Sequence, residues 1–241
     1  MKRLISAITF ITILPLGKST TYDPKGMIPF FPIVGLILGT LLSIFDAVAL
    51  QLWPRPVVSI LDVVLLAMLT GAFHLDGLGD AADGLLSHRS REKALAIMKD
   101  SRIGVMGLVA IVSALAIKWG GIWGLETHRG LLLVIIPAYA RGSMIFGIRF
   151  LKYGRPDGGT GHDFFGNTSN RFGFWGLLIP VALSFLLGWR CIVLNAAFLI
   201  ITAALLMYYN RRVGCITGDM LGATAEITEA LLFLLVSIKV F

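Results

Sequence analysis

Asp76, Asp80 and Asp83 lie within the stretch Phe73-His74-Leu75-Asp76-Gly77-Leu78-Gly79-Asp80-Ala81-Ala82-Asp83-Gly84. On a helix, offsets of four and seven residues put all three carboxylates on one face. Anions this close repel one another and raise each other's pKa unless a cation sits among them. A hard divalent ion such as Mg2+ accepts carboxylates from adjacent turns, with phosphate oxygens completing its shell. The competing reading is a solvated acidic helix start, which also suits the positive end of the helix dipole. Spacing alone leaves both readings open.

The same polar segment ends in Met98-Lys99-Asp100-Ser101-Arg102-Ile103-Gly104-Val105-Met106-Gly107. Arg102 stands at the threshold of the next apolar run, with glycines one turn inside. A guanidinium fork binds phosphate, and glycine admits a bulky ligand close to the backbone. A loop anchor with helix-packing glycines is the plainer alternative. Acids for a metal beside bases for a phosphate is the usual division of labour in phosphoryl transfer.

A third polar segment carries Asp219, Glu226 and Glu229 on one face of a helix that runs into the C-terminal apolar stretch. Acids inside a membrane helix are costly and normally face a cavity, a partner or an ion. They read as a second ligand set or a base for a sugar hydroxyl, against a structural pairing with Arg211 or Arg212. Arg141 lies mid-way along an apolar run behind Pro137 and needs a carboxylate or an anionic ligand. Asp46 and Asp62 read as a structural cluster near Arg55. His74 is expected to cap or to support a ligand. Tyr153 to Asn170, rich in Gly, Asp, Asn and Thr, reads as a flexible cap over a site, with His162, Asp163 and Asn167 as weaker ligand candidates.

These side chains need a membrane to hold them. The 241 residues are 56% hydrophobic and only 15% charged, with a mean hydropathy of +0.84. A soluble domain carries about a quarter charged residues. The expected fold is all-α: a polytopic integral membrane helical bundle forming one membrane-embedded catalytic domain over 1–241. Seven spans are expected, roughly Met27 to Leu52, Val57 to Phe73, Ile103 to Trp119, Leu131 to Phe146, Phe174 to Trp189, Ile192 to Tyr209 and Ala223 to Phe241. The segment from Met1 to Leu16 has a signal-like charge and length but no small-residue cleavage site, and reads as an interfacial or re-entrant helix.

A net charge of +7 points to membrane sorting rather than nucleic acid, and no basic run with interleaved aromatics suggests nucleic-acid binding. With a cytoplasmic N-terminus, Lys2, Arg3, Lys18, Lys25, Arg89, Arg91, Lys93, Lys99, Arg102, Arg149, Lys152, Arg155, Arg171, Arg211 and Arg212 fall inside. Only Arg55, Lys118, Arg129, Arg190 and Lys239 fall outside. This asymmetry obeys the positive-inside rule. It predicts a multi-pass protein of the cell inner membrane, with active-site loops at about 74–102, 147–173 and 210–222 all facing the cytoplasm. Cys191 and Cys215 have no metal-type spacing and imply no disulfide framework.

At these residues the chain resembles the cobalamin synthase family, the adenosylcobinamide-GDP ribazoletransferases. The resemblance rests on Gly71-Ala72-Phe73-His74-Leu75-Asp76-Gly77-Leu78 with Asp80 and Asp83-Gly84, on Met98-Lys99-Asp100-Ser101-Arg102-Ile103-Gly104, and on Thr217-Gly218-Asp219 to Leu221-Gly222-Ala223 with Glu226 and Glu229. Phe31-Pro32-Ile33-Val34-Gly35-Leu36 and Ala140-Arg141-Gly142 are similar too; Cys215 departs from the family's usual glycine. The resemblance implies transfer of the phosphocobinamide group of adenosylcobinamide-GDP to α-ribazole or its 5'-phosphate, with GMP released, late in vitamin B12 assembly. It implies Mg2+ on Asp76, Asp80 and Asp83. Arg102, with Lys99 or Arg141, would clamp phosphoryl oxygens, and Asp83 or Asp219 would accept the proton of the ribose 3'-hydroxyl. Substrate contacts are expected from His74, Lys99, Arg102, Arg141, Asn167, Thr217, Asp219, Glu226 and Glu229. The bilayer is an expected partner, and a homo-oligomer or a complex with other late B12-assembly enzymes is compatible with the sequence.

Three rival readings share parts of this pattern. A CDP-alcohol phosphotransferase needs Asp-Gly-x-x-Ala-Arg, and here the Ala-Arg step is missing after Asp76-Gly77. A UbiA-type prenyltransferase usually shows Asn-Asp-x-x-Asp, which is absent. A cation transporter tends to place its acids near the midplane of broken helices, with an internal repeat; here they cluster at one face.

Overall fold

The computed structural model describes residues 2–15, 23–100, 102–155, 158–159, 161–165 and 173–239. Its elements are α1 (Lys2–Ile11), α2 (Pro24–Met27), α3 (Phe31–Ala49), α4 (Arg55–Leu69), α5 (Phe73–Leu85), α6 (Arg91–Ile97), α7 (Val105–Trp123), α8 (Arg129–Phe150), α9 (Leu178–Ser184), α10 (Arg190–Val213) and α11 (Gly218–Val236). The result is an all-α membrane bundle, and each expected apolar stretch is helical over most of its described residues. Four helices are long and apolar enough to cross a membrane: Pro24–Ala49, Val105–Trp123, Arg129–Phe150 and Arg190–Val213.

Length and composition thus qualify four helices where seven spans are expected. The 15-residue α4 is short for a crossing and turns 89° into α5; counting that bent pair as one span raises the total to five. The apolar helix Trp175–Leu187 is shorter still. The 19 residues of α11 carry three acids. The 10-residue α1, about 15 Å long at 1.5 Å per residue, cannot cross, in line with the non-spanning segment expected there.

Two helices form the interior. α8 is buried along most of its length, and α11 packs against α5, α7, α8 and α10. This position explains how α11 tolerates its acids: they meet protein rather than lipid. α7 and α10 keep mostly apolar, lipid-compatible surfaces, with only 28% of each apolar window buried.

Glycines set the close crossings. A Cβ at Gly35 would overlap the Pro137 carbonyl oxygen, and one at Gly39 the Val134 carbonyl oxygen, so α3 lies backbone to backbone on α8. The Gly35-x3-Gly39 face therefore packs within the chain. Because even a methyl group collides with main chain, Gly35→Ala is expected to lower stability by about 1–3 kcal/mol, read from thermal unfolding in detergent. An unchanged Tm would contradict this packing.

The elbow between α4 and α5 is made by Gly71 and Ala72, both left-handed at φ 58° and 56°. Gly71 takes that conformation freely, whereas Ala72 is strained there. Ile13 donates its backbone N–H to the Leu69 carbonyl, and Phe10 packs edge-on against Phe73, so α1 braces the elbow. The turn swings α5 out of line with α4, and α5 packs against α7 and α11.

Candidate active site

α5 presents its carboxylates in graded environments: Asp76 exposed, Asp80 and Asp83 half-buried. Gly77 lets α5 press on the first turn of α11, where a Cβ would come within 2.8 Å of the Asp219 carbonyl oxygen. Gly222 returns the contact against the His74 backbone at 3.2 Å. Two acidic helix starts are thus crossed at close range, which puts Asp219 in the electrostatic field of Asp76 and Asp80. Burial pushes the Asp80 carboxyl up to about 6, and Asp76 and Asp219 add to the effect. Burial likewise raises Asp219 despite its cationic neighbour Arg155.

Arg155 holds the two loops beside these acids together. Its guanidinium donates to Asp219 Oδ2 at 2.6 Å and to the Met98 carbonyl at 3.0 Å. The segment carrying it is fixed by a bridge from Tyr153 to Ile216, with Ile216 N–H donating to the Lys152 carbonyl and Gly154 N–H to the Ile216 carbonyl. Buried Cys215, at the departure from the family pattern, packs its Sγ on Gly154. The start of the middle loop is therefore tied to the segment that leads into α11. Nothing in the sequence singled out Arg155 from the other loop cations.

Asp83 does something different from what was expected. Its two carboxylate oxygens accept backbone N–H bonds from Gly104 at 2.6 Å and Gly107 at 2.9 Å. A Cβ at either glycine would strike that carboxylate. The glycines behind Arg102 thus admit an aspartate rather than a ligand, and Asp83 caps α7. Among the described residues, no three His, Cys, Asp or Glu side chains enclose a metal site by themselves. The expected Asp76, Asp80, Asp83 triad is not a preformed cage.

The remaining donors still suit a hard divalent cation. Mg2+ is ordinarily held by one or two carboxylates plus substrate phosphates. Asp76 and Asp80 are free of any ion pair among the described residues and repel each other, which a cation would relieve.

The other expected contacts divide by depth. Arg102 is exposed and forks onto its neighbour Asp100, with an Nη2–Oδ2 distance of 2.6 Å; that pair holds Asp100 down at about 2. Exposed pairs contribute little to stability, so a phosphate can exchange for Asp100 at small cost. Lys99 is exposed. Thr217 is buried and caps α11, accepting from Met220 N–H at 3.3 Å. Asn167 lies outside the described residues.

His74, Arg141, Glu226 and Glu229 are all buried. Lys118 reaches Glu226 and Glu229 at 2.5 Å each, and Arg141 pairs with Glu229. These pairs join α7, α8 and α11 in a balanced set of two cations and two anions. The acids' partners are thus Lys118 and Arg141, not Arg211 or Arg212. Those arginines stay near the loops, where Arg212 donates to the Leu85 and Arg89 carbonyls. Neither ring nitrogen of His74 has a hydrogen-bond partner, so it caps nothing. In this geometry Lys118, Arg141, Glu226 and Glu229 tie α7, α8 and α11 together.

A second cluster sits at the opposite end. Arg129 grips Asp46 at 2.6 Å and Asp62 at 3.1 Å. Asp46 and Asp62 form the structural cluster expected of them, with Arg129 rather than Arg55 as its cation. Lys118 and Arg129 are consequently interior ion-pair partners, not loop charges.

An all-helical membrane protein with acidic helix starts crossed beside a bridging arginine is the class that this fold and site define. The chain belongs to the cobalamin-5-phosphate synthase family, whose model matches residues 3–237. Membership makes it a transferase of cobalamin assembly. It is 35% identical to the adenosylcobinamide-GDP ribazoletransferase of Geotalea daltonii, over 93% of this chain and 92% of that one. It is 36% identical to the protein so named from Alkaliphilus metalliredigens, over 98% and 95%, and 33% identical to that of Acetivibrio thermocellus, over 98% and 97%. No solved structure matches it. The phospholipid-synthase, prenyltransferase and transporter readings drop out with this membership.

Proposed function

We propose that the chain transfers the phosphocobinamide group of adenosylcobinamide-GDP to α-ribazole or α-ribazole 5'-phosphate. The ribose 3'-oxygen attacks the phosphorus attached to the corrinoid. The bridging P–O bond breaks, and GMP leaves with its electron pair. The observation that carries this reading is the convergence of Asp76, Asp80 and Asp219 within one another's electrostatic field, with Arg155 bonded to Asp219, in a chain of this family.

Asp76 and Asp80 would hold Mg2+, which when bound supplies charge neutralisation to the pyrophosphate. Asp219, its carboxyl raised by burial, suits acceptance of the hydroxyl proton. Asp83 cannot serve as that base while both its oxygens accept from α7. Arg102 exchanges Asp100 for a phosphoryl oxygen of the donor.

The protein resides in the inner membrane with these loops toward the cytoplasm. Support comes from charge: with Lys118 and Arg129 interior, the opposite end keeps only Arg55, Arg190 and Lys239 among the expected outer cations.

Two measurements test the reading. Purified protein in liposomes, given the GDP-corrinoid, α-ribazole and Mg2+, should form GMP and a cobalamin one for one; corrinoid-independent GMP formation, or none, would overturn it. The Mg2+ requirement should also depend on pH. The raised Asp80 carboxyl holds its proton below about pH 6, so bound cation must displace that proton. The half-saturating Mg2+ concentration should rise about tenfold per pH unit below 6, and a flat dependence from pH 7 to 5 would exclude Asp80 as ligand.

A further inference from the structure

A cavity of about 350 Å³ opens between α2, the end of α8 and the loop that follows it. Lys25, Arg149 and Lys152 line it together with Tyr153, Phe164 and Phe165, and no acid is among its described lining residues. None of the three cations pairs with a carboxylate among the described residues, whereas Arg102 and Arg155 both do. Arg149 and Lys152 are exposed and Lys25 is half-buried. Tyr153 and Phe165 face each other at 4.9 Å between ring centroids. The size matches a small-molecule site. Three unpaired cations beside aromatic rings suit a ligand with a phosphate and an aromatic base.

We propose that this cavity binds the nucleotide acceptor, its 5'-phosphate on Lys25, Arg149 and Lys152 and its base against Tyr153 and Phe165. The inference rests on the reaction proposed above. That reaction brings two separate anions to the protein. The reacting pyrophosphate suits the site with carboxylates for a metal. The acceptor's 5'-phosphate takes no part in bond making, and cations alone suffice to hold it. The chain itself links the two places, since Tyr153 lies two residues before Arg155, which bonds Asp219. An acceptor bound here is selected for its phosphate, and its ribose lies toward the carboxylates.

The test is the ratio of kcat/KM for α-ribazole 5'-phosphate over free α-ribazole, measured on the full chain in phosphatidylcholine liposomes. Lys152→Ala and Arg149→Ala should each lower that ratio roughly tenfold or more, as expected for a lost hydrogen bond to a charged group. Lys152→Arg should retain it. A merely structural role would slow both acceptors alike and leave the ratio unmoved, which would overturn the proposal. Weakened GMP inhibition with an unmoved ratio would assign the cavity to the leaving nucleotide and also overturn it. So would a ratio change seen only in phosphatidylglycerol liposomes, which would mark a lipid-headgroup site. Absence of GMP with either acceptor would defeat the reaction itself, while GMP release with an unmoved ratio would defeat only the cavity.

Discussion

Asp76→Asn and Asp80→Asn should each reduce GMP formation at least a hundredfold in liposomes, and the pair together should leave no measurable transfer. The size follows from removing charge stabilisation at a bridging pyrophosphate, where one well-placed group is worth about 10²–10³ in rate. Asp80→Asn should at the same time raise Tm in the absence of divalent cations. Its carboxyl is raised to about 6 in the folded protein, so the folded state favours the proton more than the unfolded chain does. Stability is therefore greatest below the usual carboxylate range and is lost as pH rises through 6. The amide removes that loss. Less activity with more stability is the signature of a strained functional site. An Asp80→Asn protein with near-normal transfer would remove the carboxylate pair from the reaction.

The second large effect is on folding. Glu229→Gln leaves Arg141 buried without its carboxylate and Lys118 with only Glu226. Removing one member of a buried ion pair costs about 3–5 kcal/mol, because the remaining charge stays desolvated. Thermal unfolding in detergent should show that loss. Lys118→Met combined with Glu226→Gln should be milder than the two single variants added together, since each single strands a charge that the double does not. If Glu229→Gln unfolds like the wild type, the network is not what holds α11 to α7 and α8.

Sequence spacing is enough to place the helices that carry part of the candidate site. Asp76 and Asp80 repeat at a helical interval on α5, and Asp219 opens a second helix at the same end, as their intervals predict. Asp83 shares the interval, but its partners are backbone N–H groups more than twenty residues away, and a one-dimensional pattern carries no sign of them. For Lys118 the reason is simpler. An apolar run ending at Trp119 makes Lys118 a loop charge, whereas α7 continues to Trp123. The signal was present in Ile117-Lys118-Trp119, a lone cation among apolar neighbours, the same mark that singled out Arg141. Arg155 had no such mark, since a loop arginine ordinarily meets water. Only the bridge between Tyr153 and Ile216 brings it to Asp219. Hydropathy alone rates α4 and α11 as apolar without showing that α4 turns sharply into α5 or that α11 packs inside the bundle.

The most direct test follows the phosphorus. Adenosylcobinamide-GDP labelled at the phosphorus next to the corrinoid is incubated with α-ribazole, Mg2+ and the protein in liposomes. Attack at that phosphorus predicts that all label enters the phosphodiester of the cobalamin product, with unlabelled GMP released in equal amount. Label recovered in GDP or inorganic phosphate would contradict the account.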